Sequence, residues 1–539
     1  MSKLQALSTG APIKNLMQAS GKGQPNPFGW MFPGLPACQA SSADLALLAK
    51  VMTAEKDAVL PENDSIPAGY TYLGQFINHD ISVDTKSIMR GKVEPDHVRT
   101  PRLDLDSVYG TGPDAWPQLY VHEDGRDNGV KLKTHEDTPG SGDLDLRDLL
   151  REGGGDLGPV CTLIGDERND ENILVSQLHS SFISFHNAMV DKLREAQPRL
   201  SGRDLFERAR REVRWHYQWV VLWDFLPRIC GGGSYVQALV DFVARTRRLP
   251  RYRPSSRAFI PIEFWGAAFR IGHAMSRPSY FLNDVLDGPG KPINPLKPRL
   301  PVPLLVGDSP DPMDDLRGRR KIPCAWGVEW KYFFPFDEAI DADLPGAEGP
   351  EGRPGLPIRA PQPSLRIDHE IVAALANLPG KSRDGNGPNS VIRLDLQIGQ
   401  DIGLPSGQTI AAAITGNREH LFWGKLQTTA TDNLKAGVDR LPQNLVEDTP
   451  LFYYLLKEAE ILEGGRCLGP VGRTIVAETL IGILLHNVGT ILNTDPGWRP
   501  HAGAIPGQPY TMAHFLTFAL PRRSSPPRPP WPTGAPVMV

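Results

Sequence analysis

The sequence lacks a surplus of either charge: 58 Lys and Arg stand against 62 Asp and Glu in 539 residues, for a formal net charge of −4. That balance leaves no basic footprint for nucleic acid or for an anionic membrane surface. Cysteine is scarce. The five present (Cys38, Cys161, Cys230, Cys324 and Cys467) are scattered and show no CxxC spacing. This excludes a zinc ribbon and a disulfide framework and points to reduced thiols in a cytoplasm-like compartment. Long apolar runs are also missing. The opening stretch, "MSKLQALSTGAPIKNLMQASGKG", has no apolar core of signal-peptide length. The most apolar late segment, "GRTIVAETLIGILLHNVGTIL", carries Arg473, Glu478 and His486, which mark a buried core helix rather than a membrane span. The expected location is cytoplasmic, with non-classical secretion as the alternative. Gly-rich phosphate loops are absent as well. "NLPGKSRDG" holds a Gly-Lys-Ser, but Leu375 stands where a P-loop needs its first glycine.

What the chain does have is glycine and proline, 53 and 52 residues, so much of it must run as loops and short elements. Residues 1–45 read as an extended Pro/Gly-rich arm, 46–520 as one large domain, and 521–539 as a Pro-rich flexible tail. Apolar residues recur at helical spacing near 68–85, over 173–196, from 205 to 229, around 262–276, and again near 368–377, 408–415, 450–462 and 471–493. Proline-rich residues 281–365 read as a long loop with short elements. Many helices and few alternating patterns predict a mainly α fold.

Four short runs carry chemistry. In "LGQFINHDIS", Gln75 and His79 stand four apart, hence on one helix face, with Asp80 beside them. In "RTPRLDLDSVYG", Thr100, Asp104 and Asp106 offer oxygen ligands at alternating positions of a loop, the kind of donor a hard cation such as Ca²⁺ takes. The run lacks the central glycine and distal glutamate of an EF-hand, and alternating aspartates alone are more often a solvated turn. "GDERNDEN" sets Arg168 and Glu171 three apart before the long helical run, and "FRIGHAMS" sets Arg270 and His273 three apart. Among thirteen histidines such pairs arise easily by chance, and His179, His186, His216 and His486 read as core histidines.

The four runs in this order resemble the animal-type haem peroxidase superfamily, the myeloperoxidase and lactoperoxidase branch, over about residues 70–495. The resemblance implies a helical fold with haem b between distal and proximal helices, bound Ca²⁺, and hydrogen peroxide and a small reductant as partners. His79 falls on the distal histidine and Gln75 on the glutamine beside it. Arg168 falls on the distal arginine, Glu171 on a carboxylate able to form an ester to the haem, and His273 on the proximal iron ligand. Asp80, Thr100, Arg102 (through its carbonyl), Asp104 and Asp106 fall on calcium ligands. Arg270, in the proximal run, is grouped with the haem-binding residues. Departures sharpen the expectation. Asp395, upstream of "QDIGLPSG", replaces the asparagine that partners the proximal histidine, and an aspartate there lowers the iron's potential. Asn78 cannot form the second ester, and Asn172 excludes a thioether, leaving Glu171 as the one covalent point. The expected activity is peroxidation of organic donors, with bromide or iodide as further candidates and chloride excluded. The alternatives are a haem-dependent oxygenase acting on a fatty acid or secondary metabolite, and a non-catalytic haem-binding protein. Arg270 stands where a cyclooxygenase-like route needs a tyrosine, although Tyr280 lies further on.

Overall fold

The computed structural model describes residues 27–82, 100–122, 128–134, 148–153, 160–283, 301–306, 314–322, 326–336, 361–376, 378, 390–416, 437 and 441–520. The tail at 521–539, most of the arm before Phe28 and much of the 281–365 loop lie outside the described residues.

Helices dominate, as the periodicity predicts, and the few strands form only two-stranded pairs. At the centre lies the helix Ile173–Ala196, in which sixteen of 24 residues are buried. Asn172 starts it by accepting from the amides of Leu174 and Val175, an N-cap that satisfies two otherwise orphaned donors. Three helices pack on it: Gly69–Ile81, Gly202–Val220 and Met512–Ala519. Their shared seam is aromatic. Phe76 stacks on Phe182 at 4.4 Å, and Phe185 stacks on Phe515 at 4.0 Å.

A second group holds Ser42–Met52, Val391–Ile402, Leu451–Glu463 and Pro470–His486. Ser41 caps the first of these through a reciprocal capping box with Asp44. Pro470–His486 is buried along most of its length, and among the described residues no helix is long and apolar enough to cross a membrane. The arm's described part lies against the body. The buried Glu263 carboxylate accepts from the amides of Met31 and Phe32, and Phe28 pairs in parallel with Ile260. Cys38, Cys230 and Cys467 are free and buried.

Two helical runs differ from the sequence expectation. The 205–229 run is an α-helix to Val220, then a π-helical turn Val221–Phe225, then a short helix Leu226–Ile229. Pro227, which lacks an N–H, disturbs the α ladder there. The 262–276 run breaks into Ile262–Gly266, a 3₁₀ turn Ala268–Arg270, and Gly272–Met275. Gly266 sets the break. A Cβ on it would sit 2.6 Å from Ile402 Cδ1 and 3.1 Å from Leu404 Cδ1, so a larger residue would push those side chains aside.

Candidate active site

The Gly69–Ile81 helix begins where chain crowding demands glycine. A Cβ at Gly69 would meet the Phe333 carbonyl oxygen at 2.5 Å, and the Gly69 amide donates to that oxygen at 2.9 Å. Helical phasing then sets Gln75 and His79 on one face, while Phe76 turns into the aromatic seam. His79 is 5% exposed and Asp80 is fully buried.

Facing this helix is the turn Glu167–Asp170, held by Asp166, whose side chain accepts from the Arg168 amide. Arg168 is tied down at two nitrogens. Nε donates to Asp166 Oδ1 at 3.0 Å, and Nη2 donates to Asp166 Oδ2 (2.7 Å) and to the backbone oxygens of His79 (2.9 Å) and Ser82 (2.6 Å). Nη1 has no partner among the described residues. One side of the guanidinium therefore clamps the end of the His79 helix and the other stays open. Behind it, Arg151 bridges Asp148 and Asp170 in a buried ion cluster that fixes the turn. Asn172 donates through Nδ2 to Gln75 Oε1 at 3.0 Å, so the residue that starts the long helix also orients Gln75. Glu171 follows the turn, half-buried, and its backbone oxygen accepts from the Gly318 amide.

One residue at this site, Asn169, escapes the sequence reading. Asn169 Oδ1 lies 2.9 Å from His79 Nδ1, and Asn169 Nδ2 lies 2.9 Å from His179 Nδ1. His179 is a buried core histidine, as the sequence suggests, and Asn169 is its partner. His179 lies seven residues after Asn172, on the side of the long helix that faces Gln75.

His273 stands on the short helix Gly272–Met275, which packs against the His79 helix. Its Nδ1 lies 2.6 Å from Asp395 Oδ2, and Arg270 Nη1 donates to Asp395 Oδ1, also at 2.6 Å. Arg270 Nε donates to the Trp265 carbonyl as well. Burial pushes the Asp395 carboxyl up, but the His273 imidazole and Arg270 guanidinium outweigh it and hold it below the ordinary carboxylate range. With Nδ1 held by the carboxylate, His273 turns Nε2 outward. That nitrogen has no partner among the described residues, and the side chain is 36% exposed. This donor set could hold a haem iron, with Asp395 orienting the ring.

The oxygen-rich loop lies against the end of the Gly69–Ile81 helix. One ligand oxygen from each of Asp80, Asp104 and Asp106 lies within 4.8 Å of the others. Thr100 Oγ1 and Asp104 Oδ1 are buried without a hydrogen-bond partner. Burial raises the Asp104 carboxyl above its ordinary value, against the pull of Arg214, Arg102 and Arg210. Leu105, between the aspartates, sits in the left-handed region at φ 59°, a conformation that costs a non-glycine residue on the order of 1 kcal/mol and is held by its complete burial. Arg102 is exposed, and its amide donates to the Thr100 carbonyl at 2.7 Å. Crowded carboxylate oxygens beside a partnerless Thr100 hydroxyl and Asp104 Oδ1 fit a hard cation.

The described fold is mostly helical. The animal haem peroxidase family matches this chain over residues 61–297, from the strand before the His79 helix to beyond His273. Mouse myeloperoxidase (Mus musculus) is 29% identical over 144 residues, 26% of this chain and 18% of its own length. The match thus spans less than a fifth of that relative. Among solved structures, peroxidase A from Dictyostelium discoideum superposes with a TM-score of 0.53 at 16% identity, covering 85% of each chain. Fatty acid alpha-dioxygenase from Arabidopsis thaliana gives 0.53 at 14% identity, covering 90% of this chain and 74% of its own.

Proposed function

We propose that the protein is a haem-dependent peroxidase that uses hydrogen peroxide to oxidise small organic donors. The observation that carries this reading is the pairing of two histidines on packed helices, each with a polarised Nδ1. Bound haem, held by His273 Nε2, supplies the redox chemistry. His79 would accept a peroxide proton at Nε2 and hold it for the departing oxygen. Arg168, through its open Nη1, stabilises the negative charge that builds on that oxygen, and Gln75, oriented by Asn172, hydrogen-bonds the peroxide. Asp80, Thr100, Asp104, Asp106 and the Arg102 carbonyl hold Ca²⁺, which fixes the C-terminal end of the His79 helix. Glu171 remains the single position for a covalent link to haem.

Asp395 was expected to load negative charge onto His273. Arg270 shares that carboxylate, so the push is moderated, and the oxidant lies between those of a neutral and a fully anionic partner. Bromide and iodide therefore remain candidate donors, and efficient turnover of chloride by the purified protein contradicts this part of the reading.

Oxygenation of a fatty acid or secondary metabolite is the second reading, and a tyrosine pair favours it. Tyr72 lies on the same helix face as Gln75 and His79, and its ring meets that of Tyr280 at 5.6 Å, both phenols being buried. Stopped-flow absorbance separates peroxide activation from simple haem binding. Wild type should show a rapid Soret change with peroxide, slowed about 10²–10⁴-fold in His79→Ala with its resting haem band intact. A His79→Ala variant as fast as wild type would sink the proposal.

A further inference from the structure

We infer that Asn169 is the positioning residue that sets which nitrogen of His79 meets peroxide. This rests on the reading of His79 as the peroxide-facing base. Asn169 is fully buried, in the turn that also carries Arg168, and its two side-chain atoms face two different histidines: Oδ1 to His79 Nδ1 and Nδ2 to His179 Nδ1, each at 2.9 Å. A carboxamide is directional, because its oxygen only accepts and its nitrogen only donates. The first contact therefore requires the proton of neutral His79 on Nδ1, which leaves Nε2 bare. The second requires a bare Nδ1 on His179, which places that ring's proton on Nε2. One amide thus fixes two tautomers in a single sense.

The direction matters for the chemistry. With its proton on Nε2, His79 would present a donor to peroxide and could not take its proton. Asn169 is also an uncharged partner. It orients the imidazole without the standing negative charge that Asp395 places on His273, so the two histidines are polarised unequally by an amide on one side and a carboxylate on the other. The amide itself is anchored. Its backbone N–H donates to the Asp166 carbonyl at 3.0 Å, and the next residue, Asp170, is locked to Arg151.

The test uses the haem-loaded full chain as wild type, Asn169→Leu, Asn169→Asp and His79→Ala. Cyanide association, followed by the Soret shift, reads the distal base without turnover, because HCN must give up its proton on binding. The peroxide rate and the thermal midpoint are measured beside it. Asn169→Leu, close in size but without an acceptor, should slow cyanide and peroxide about 10–100-fold with the resting spectrum and thermal midpoint kept. Asn169→Asp keeps an acceptor for His79 Nδ1–H and should recover most of that loss. If His79→Ala is slow while Asn169→Leu matches wild type, or if Asn169→Asp is as slow as Asn169→Leu, the inference is overturned. If His79→Ala is itself as fast as wild type, the underlying reading of His79 fails instead. Should Asn169→Leu take up no haem, Asn169→Ala replaces it with the same expected outcomes.

Discussion

At the scale of single residues, the chemistry turns on who shares a carboxylate. Asp395 touches both His273 and Arg270 at 2.6 Å, and the two contacts pull its charge in different directions. Replacing Asp395 with Asn leaves a neutral partner for His273 and should raise the haem reduction potential. Replacing Arg270 with Gln removes the compensating cation and should lower it, because the whole anionic charge then falls on His273. A spectroelectrochemical titration of both variants checks the pair of opposite shifts, and shifts of the same sign contradict the shared-carboxylate account. The sequence showed the aspartate and the arginine separately. It did not show that they touch, because they stand 125 positions apart in the chain.

At the scale of elements, the helix Ile173–Ala196 organises the side that carries His79 through its aromatic seam. Phe182 is fully buried and meets Phe76, Tyr217 and Phe515. Phe182→Ala should cost about 3–5 kcal/mol of unfolding free energy in denaturant titration. The start of Pro470–His486 makes a different demand. Buried Glu458 accepts from the amides of Val471 and Gly472, and burial pushes its carboxyl from 4.5 up to about 7. Between those two pH values the folded chain keeps a proton that the unfolded chain releases. Stability contributed by Glu458 is therefore full below about 4.5 and declines as pH rises to about 7, by on the order of 3 kcal/mol. Glu458→Gln should flatten that part of the pH profile of the thermal midpoint, and an unchanged profile contradicts the assignment. Periodicity revealed the central helix because its apolar face is continuous. It missed Val391–Ile402, where Gly399 and the Gly/Pro-rich run before Ser390 obscure the pattern, so Asp395 was found only through the "GLP" turn that follows it.

At the scale of the whole molecule, motif order carried the sequence reading furthest. Gln75, His79, Asp80, Arg168 and His273 fall on elements that pack together, and the Asp80, Asp104 and Asp106 oxygens converge. Partners that depend on tertiary placement, such as Asn169 to His179 and Asn172 to Gln75, have no local signature and emerge only in the fold. The calcium proposal links the loop to the His79 helix. Exhaustive chelation should therefore lower the thermal midpoint and slow the peroxide reaction together, with both restored by Ca²⁺ but not by Mg²⁺, which favours a tighter octahedral shell. The central claim is that peroxide, rather than molecular oxygen, is the oxidant at this site. The most direct measurement follows one haem-loaded preparation with a phenolic donor and peroxide in one cell, and with a fatty acid in an oxygen electrode. The account predicts peroxide-dependent donor oxidation, lost in His79→Ala, and no fatty-acid-dependent oxygen uptake. Rapid oxygen uptake with fatty acid, and no donor oxidation with peroxide, would contradict it.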